Sequence, residues 1–199
     1  MQWWILCGGR GGRCPSRQVP PIEGTNTHDR TEAGSRGRDA GDPAQPDLKL
    51  GRSAVARAQA LVDELSRSRS LQHCALFLWD PSVGRLRLAA QHWGAGEDLG
   101  EVRAGIWTIA LNGICGRAFT SAAPALVPDV EADPAFLSFP GSRTRSELAV
   151  PVLIDSRVAG VVNLESPRVG AYGQADIDAV NAWIDSVRDT IRGFFAAGE

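Results

Sequence analysis

The sequence predicts an α+β fold, in which an antiparallel sheet of about six strands has the N- and C-terminal helices packed on one face. Apolar residues recur at helical spacing near both ends of the folded region, and strand-like runs separated by turn residues lie between them. The order is helix, strands, short helix, strands, helix. Each terminal helix has one apolar stripe, so we expect both helices to be buried against the sheet.

Residues 1–50 are predicted to form a disordered tail, and residues 51–198 form the folded domain. Between Val19 and Leu48 large apolar side chains are almost absent, so this segment cannot offset its ordering entropy by burial. The Gly-Arg run in residues 8–13 is similar to short RNA-binding segments, but it is one copy without aromatic residues. A plain linker, or an over-extended start, is favoured instead.

Composition and charge exclude several classes of function. The chain has 199 residues and a net charge of −2, so small-molecule or protein partners are favoured over nucleic acid or membrane. The four cysteines form no C-x-x-C pair and have no histidine at a metal-ligand spacing, which indicates no metal site and a reducing cytoplasm. The apolar residues 3–7 are too few for a membrane helix or a signal peptide. Arginine-rich usage, with Lys49 as the single lysine, is typical of a high-GC bacterial genome.

The first half of the domain begins with an amphipathic helix after Gly51. Its predicted buried stripe steps by three and four residues and comprises Val55, Ala58, Val62 and Leu65. Residues 74–79 and 85–92 follow as a β-hairpin, because Pro and Gly in residues 80–84 favour a turn. A short strand is predicted over residues 106–110.

In the second half, Asn112 is a candidate N-cap for a short helix over residues 113–121. A short edge strand over 124–127 and a structured loop over 128–144 follow. Residues 147–154 and 158–165 are rich in β-formers and are predicted to pair as the central hairpin. The last helix, over 174–195, has a continuous apolar stripe: Ile177, Val180, Ile184, Val187, Ile191 and Phe194.

Several short motifs, in this order along the chain, carry a family resemblance. They are residues 113–118 (GICGRA), 127–130 (VPDV) with 133–134 (DP), 146–152 (SELAVPV), 160–166 (GVVNLES) and 172–176 (YGQAD). Together they resemble the signature segments of GAF domains, small α/β sensor modules of bacterial signalling proteins. The resemblance implies a GAF-like fold whose short helix, long loop and central strands enclose a pocket for a small ligand.

Within that family, residues 113–151 are most similar to the free methionine-R-sulfoxide reductase branch. In that enzyme a thiolate attacks the sulfoxide sulfur, and a second cysteine resolves the resulting sulfenic acid. Cys115 matches one family cysteine, but residues 116–145 lack the expected catalytic one. Glu147 matches a substrate-binding acid, whereas two other acidic positions become the amide Asn163 and the longer acid Glu165.

The resemblance and the residue types together give a set of candidate ligand-binding residues: Trp107, Cys115, Asp129, Glu147, Asn163 and Glu165. Trp107 is a candidate stacking surface for a planar or methylated ligand, with core packing as the alternative. Cys115 has a catalytic role only if the reductase interpretation holds; otherwise it is a small buried apolar residue. Cys74 could resolve a sulfenic acid only if the fold placed it beside Cys115.

No cofactor is expected. Cyclic-nucleotide GAF domains have a lysine-containing signature that this domain lacks, and bilin-binding members have Cys followed by His where Gly116 follows Cys115. A haem would need an axial ligand, for which His92 is the candidate beside a loop. We interpret His92, His73 and His28 as surface histidines.

The sequence therefore predicts a small-molecule-binding sensor without catalytic activity of its own. The alternatives are a methionine-R-sulfoxide reductase-like enzyme and a ligand-free dimerisation module. Terminal helices of many GAF sensors pack against a second copy, so a homodimer through these helices is a further expectation. Because the sequence ends at Glu199 without an output module, signalling is expected to use dimerisation or a separate protein partner.

Overall fold

The computed structural model of the protein describes residues 46–94, 103–138 and 142–195. The described helices are α1 (Arg52–Arg69), α2 (Ile114–Ser121) and α3 (Gln174–Arg192). The strands are β1 (His73–Asp80), β2 (Arg85–Trp93), β3 (Thr108–Ile109), β4 (Ala125–Val127), β5 (Ser146–Ile154) and β6 (Arg157–Ser166). They form one six-stranded sheet in the order β3-β2-β1-β6-β5-β4, and every neighbouring pair is antiparallel. The predicted fold class is confirmed. Residues 1–45 of the predicted tail lie outside the described residues.

Helices α1 and α3 cover one face of the sheet, which we call the helix face. Alternate strand residues point toward the helices and join their apolar stripes in one buried core, including Cys74, Leu76, Leu148, Val150, Val162 and Leu164. The predicted stripes are confirmed, except that Ala54 rather than Val55 is buried at the start of α1. Leu48 and Leu50, just before the predicted domain boundary, pack against the same core.

Helix α2 packs on the opposite face, which we call the pocket face. Gly116 lets the backbone of Leu111, just before the helix, approach α2 closely, because a Cβ at this position would lie 2.2 Å from the carbonyl carbon of Leu111. The prediction that Asn112 caps this helix is wrong. The N-cap is Gly113, and no side chain caps the helix, while Asn112 is exposed one residue earlier.

A two-residue turn and a β-bulge together set the register between β5 and β6. Asp155 and Ser156 have φ values of 49° and 64°, the left-handed conformation that a two-residue hairpin turn requires. A β-bulge between Val152 and Leu153 then shifts the register by one residue, and beyond it Glu147 pairs directly with Glu165. This confirms the predicted hairpin. The loop before it contains one turn of 3₁₀ helix, Val130–Ala132.

Candidate functional site

A row of polar and aromatic side chains crosses four strands on the pocket face. Trp93 on β2 pairs with His73 on β1, which pairs with Glu165 on β6, which pairs with Glu147 on β5. Directly paired residues of antiparallel strands point to the same face, so these side chains are neighbours. His73, Glu147 and Glu165 are only 5%, 5% and 6% exposed. The row therefore places two carboxyl groups side by side in the protein interior.

A small cavity lies between this row and α2. Its volume is about 40 Å³, and its lining combines apolar side chains with a polar floor: Phe77, Ile109, Ala110, Gly113, Ile114, Cys115, Leu137, Glu147, Asn163 and Glu165. Pockets that hold drug-sized ligands usually have volumes of roughly 300–1,000 Å³. In this conformation the cavity therefore admits a small chemical group, and a larger ligand would have to displace a wall residue such as the exposed Leu137.

Glu147 is the carboxyl group that faces α2. The first turn of the helix brings the Cys115 thiol to it, and Sγ donates a hydrogen bond to Oε1 across 3.7 Å. Burial, together with the adjacent Glu165 carboxyl, raises the pKa of Glu147 well above its ordinary value. Both effects therefore favour the neutral, protonated form of Glu147.

Glu165 has the opposite surroundings, although it is just as buried. Asn163 Nδ2 donates a hydrogen bond to Oε1 across 2.9 Å, and the Thr144 hydroxyl donates one to Oε2. His73 Nδ1 lies 3.4 Å from Oε1, and the His73 ring stacks on Trp93 with ring centroids 3.4 Å apart. Burial by itself raises the pKa of Glu165, but His73 and the hydrogen bonds outweigh it and hold that pKa below its ordinary value. Glu165 is therefore the ionised member of the pair.

Asn163 leaves one buried acceptor without a partner. Its Nδ2 group is bonded to Glu165, but its Oδ1 atom makes no hydrogen bond although the residue is only 4% exposed. A buried polar atom without a partner costs about 1–3 kcal/mol. Because Asn163 lines the cavity, a bound molecule with a hydrogen-bond donor would remove that cost.

The fold and the sequence motifs agree with the similarity of this chain to known proteins. A family model described as GAF domain matches residues 52–191, well over half of the chain. The chain belongs to the GAF domain family. No curated protein is significantly similar to the chain in sequence.

Solved structures with a similar fold include both enzymes and signalling domains. The type II free methionine-R-sulfoxide reductase from Thermoplasma acidophilum is 23% identical with a TM-score of 0.62, over 75% of this chain and 100% of that chain. The free methionine-R-sulfoxide reductase from Neisseria meningitidis is 22% identical with a TM-score of 0.59, over 69% of this chain and 77% of that chain. The GAF domain of the Acinetobacter phosphoenolpyruvate-protein phosphotransferase is 16% identical with a TM-score of 0.59, over 74% of this chain and 84% of that chain. At these identities the likeness shows the fold alone.

The two described cysteines of this GAF domain lie on opposite faces of the sheet. Cys74 belongs to the core of the helix face, whereas Cys115 lies on the pocket face. Cys74 therefore cannot resolve a sulfenic acid on Cys115. Burial raises the pKa of Cys74 to about 12, and burial with the carboxyls of Glu147 and Glu165 raises the pKa of Cys115 well above its ordinary value. Both thiols are held in the protonated form, which is a poor nucleophile.

The structure brings four of the predicted site residues together and leaves two apart. Cys115, Glu147, Asn163 and Glu165 share the cavity. Trp107 packs against Phe77, with ring centroids 6.1 Å apart, and is absent from the cavity lining formed by the described residues. Asp129 lies in a separate groove of about 420 Å³, where it accepts a hydrogen bond from Glu131 N across 3.2 Å.

Sequence reasoning missed the residues that position Glu165. His73 was expected at the surface, and that expectation is wrong because it is buried beside the carboxylate. The signal was its place at the start of a strand, two residues before Ala75 and four before Phe77, which also face the pocket. Thr144 gave no such signal, because it lies in the loop before β5. His92 pairs with Cys74 and so lies on the helix face, away from the cavity.

Two kinds of feature are absent from the described part of the chain. No group of three or more His, Cys, Asp or Glu side chains there could hold a metal ion. None of the helices formed by those residues is long and apolar enough to cross a membrane.

Proposed function

We propose that this GAF domain is a ligand-binding sensor that performs no chemistry of its own, and that it binds a small molecule in the cavity between α2 and the sheet. The observation that carries the proposal is that Asn163, whose Oδ1 atom has no hydrogen-bond partner, lines that cavity. A ligand-free domain would gain stability by replacing such a group with an apolar residue. Its presence, beside two buried carboxyls, supports a binding role.

The reductase interpretation is less well supported by the site. It requires a thiolate and a resolving cysteine. The Cys115 thiol lies against the Glu147 carboxyl, which disfavours a thiolate, and Cys74 lies on the other face of the sheet. The similar fold of two methionine-R-sulfoxide reductases is what keeps this alternative worth testing.

A turnover assay separates the sensor from the enzyme. Purified protein is incubated with methionine-R-sulfoxide, thioredoxin, thioredoxin reductase and NADPH, beside a Cys115→Ser variant. We expect NADPH oxidation no faster than in the protein-free control for either protein. Sustained oxidation by the wild type that is lost in Cys115→Ser would contradict a role without chemistry.

Native mass spectrometry tests ligand binding itself. Protein purified from its source cells under native conditions is expected to retain a small-molecule mass, and Asn163→Leu is expected to lose it. Asn181→Leu, at an exposed position of α3, is the matched control and should retain the mass. If no mass is retained, and the small-molecule fraction of the same cells causes no NMR shifts at the cavity amides, the ligand-free module replaces our proposal.

The homodimer, the separate signalling partner and the bacterial cytoplasmic setting stay predictions. None of the large apolar side chains that are exposed in the described part lies on α1 or α3. Both helices bury their apolar stripes against their own sheet. Dimerisation through them would therefore use polar surface, and sedimentation equilibrium of the full chain would reveal it.

A further inference from the structure

The cavity offers a ligand hydrogen-bond acceptors and negative charge. Its polar side chains are Cys115, Glu147, Asn163 and Glu165, and the described lining includes no arginine, lysine or histidine. The amide donor of Asn163 is already bonded to Glu165, which leaves the buried Oδ1 atom as the part of the side chain without a hydrogen-bond partner. An anionic ligand would meet carboxyls without a basic side chain to pair with it.

From this juxtaposition we infer that the ligand is an organic cation whose charged nitrogen carries N–H donors, a primary ammonium or an amidinium group, bound by Asn163 Oδ1 and the carboxyls of Glu147 and Glu165. The inference rests on the proposed function, because it names the chemical class of the ligand at the same site. Charge-assisted hydrogen bonds from such a nitrogen are about twice as strong as neutral ones.

The size and lining of the cavity fit a small charged head on an apolar body. A space of about 40 Å³ holds an ammonium or amidinium group but no aromatic ring system. Phe77, Ile109 and Ile114 supply apolar walls next to the polar floor. A hydrocarbon chain attached to the nitrogen would contact these walls once Leu137 is displaced, whereas apolar walls would not replace the water shell of a metal ion.

Binding of a cation changes the protonation of the carboxyl pair. Glu147 faces Glu165 on β6, the Cys115 thiol on α2, and the ion pair of Arg117 with Asp133, whose side chains are 2.7 Å apart. Of these groups the Cys115 thiol, through its hydrogen bond, and Arg117, the one positive charge among them, favour the ionised form of Glu147. A bound cation adds a second positive charge, so Glu147 releases its proton to the buffer and becomes a carboxylate. Affinity for the cation therefore rises with pH.

An NMR titration with three probes of the same length tests the charge. Butylammonium, 1-butanol and butyrate are each titrated into ¹⁵N-labelled full-length protein while the backbone amides of Cys115 and Asn163 are followed. We expect saturable shifts with butylammonium at an affinity at least about tenfold higher than with 1-butanol, and none with butyrate. Equal binding of 1-butanol, tighter binding of butyrate, or unmoved cavity amides with butylammonium would overturn the inference. Stronger shifts with Ca²⁺ than with butylammonium would also overturn it.

Variants then test whether Asn163 contributes to binding and whether Glu147 releases a proton when the cation binds. Asn163→Leu should weaken butylammonium binding at least about tenfold, whereas Asn181→Leu on α3 should not change it. Calorimetry in two buffers of different ionisation enthalpy should detect up to about one proton released per bound butylammonium. Glu147→Gln should release none and should lose the pH dependence. Glu64→Gln, the same change on the exposed side of α1, should behave as the wild type.

These results separate the class of ligand from the existence of the site. A retained natural ligand that lacks a basic nitrogen, lost in Asn163→Leu, would overturn the cation while leaving the binding role intact. If neither a natural ligand nor any of the probes binds in the cavity, both the cationic ligand class and the binding role are overturned.

Discussion

The two faces of the sheet are built on the same strands but bury different chemistry. Leu164 and Asn163 are consecutive residues of β6, and they point to opposite faces because side chains alternate along a strand. Leu164 joins the apolar core beneath α1 and α3, whereas Asn163 joins Glu147, Glu165 and His73 beneath α2. The helix face is an ordinary core, and the pocket face buries polar groups with incomplete hydrogen bonding.

This difference separates the residues that stabilise the domain from those that give it a ligand site. Apolar burial contributes about 25 cal/mol per Å² of area removed from water. Buried carboxyls and an unpartnered amide oxygen oppose folding, so the helix face has to compensate for the pocket face. Substitutions in the apolar core of the helix face should therefore destabilise the domain, whereas on the pocket face the sign should depend on whether the carboxyl has partners that favour its charge.

The largest effect is expected on the helix face. Leu164 is fully buried, and Leu164→Ala should lower the free energy of unfolding by about 3 kcal/mol through lost burial and a residual cavity. The affinity of the folded variant for butylammonium should stay unchanged, because the side chain lies on the other face. Urea unfolding measures the stability. The matched control Leu126→Ala changes a leucine of β4 that is 40% exposed, and it should lower the free energy of unfolding by less than about 1 kcal/mol. A loss of affinity in Leu164→Ala without unfolding would break the separation of the two faces.

The next effect concerns the ionised carboxyl of the pocket face. At neutral pH, Glu165→Gln should lower the free energy of unfolding by about 2 kcal/mol, because the amide lacks the charge that Thr144, Asn163 and His73 surround. Because the pKa of Glu165 is lower in the folded protein, its contribution is present above the unfolded pKa of about 4.3 and is lost as pH falls. The deficit of the variant should therefore shrink in acid. Unfolding curves in which Glu165→Gln is as stable as the wild type at neutral pH would remove the distinction between the two carboxyls.

Periodicity was sufficient to predict most of the fold. The stripe of α3 and the β5–β6 hairpin follow from local spacing and from the short turn at Asp155 and Ser156, so the sequence contains the information directly. The helix cap at Gly113 did not follow, because the preference for Asn at such positions was outweighed by the backbone path into α2.

The family resemblance supplied Cys115, Glu147, Asn163 and Glu165, which line one cavity in the structure. Their role in ligand binding stays a prediction. The strand alternation of β1 indicates the face on which His73 lies, but its partner does not follow from it, because the pairing of His73 with Glu165 is a register between strands that are far apart in sequence. Asp129 was grouped with them by its motif, but the loop that contains it folds over a different groove.

Glu147 gives the most direct test of the claim that the pocket face retains a carboxyl at the expense of stability. The measurement is the unfolding free energy of wild type and Glu147→Gln between about pH 5 and pH 8. Because its pKa is raised in the folded protein, Glu147 stabilises the fold only at low pH, and that contribution is lost as pH rises. We predict that the variant becomes the more stable protein, with a difference that grows by up to about 1.4 kcal/mol per pH unit. A difference that stays constant with pH, or a variant that is less stable throughout, would contradict the account.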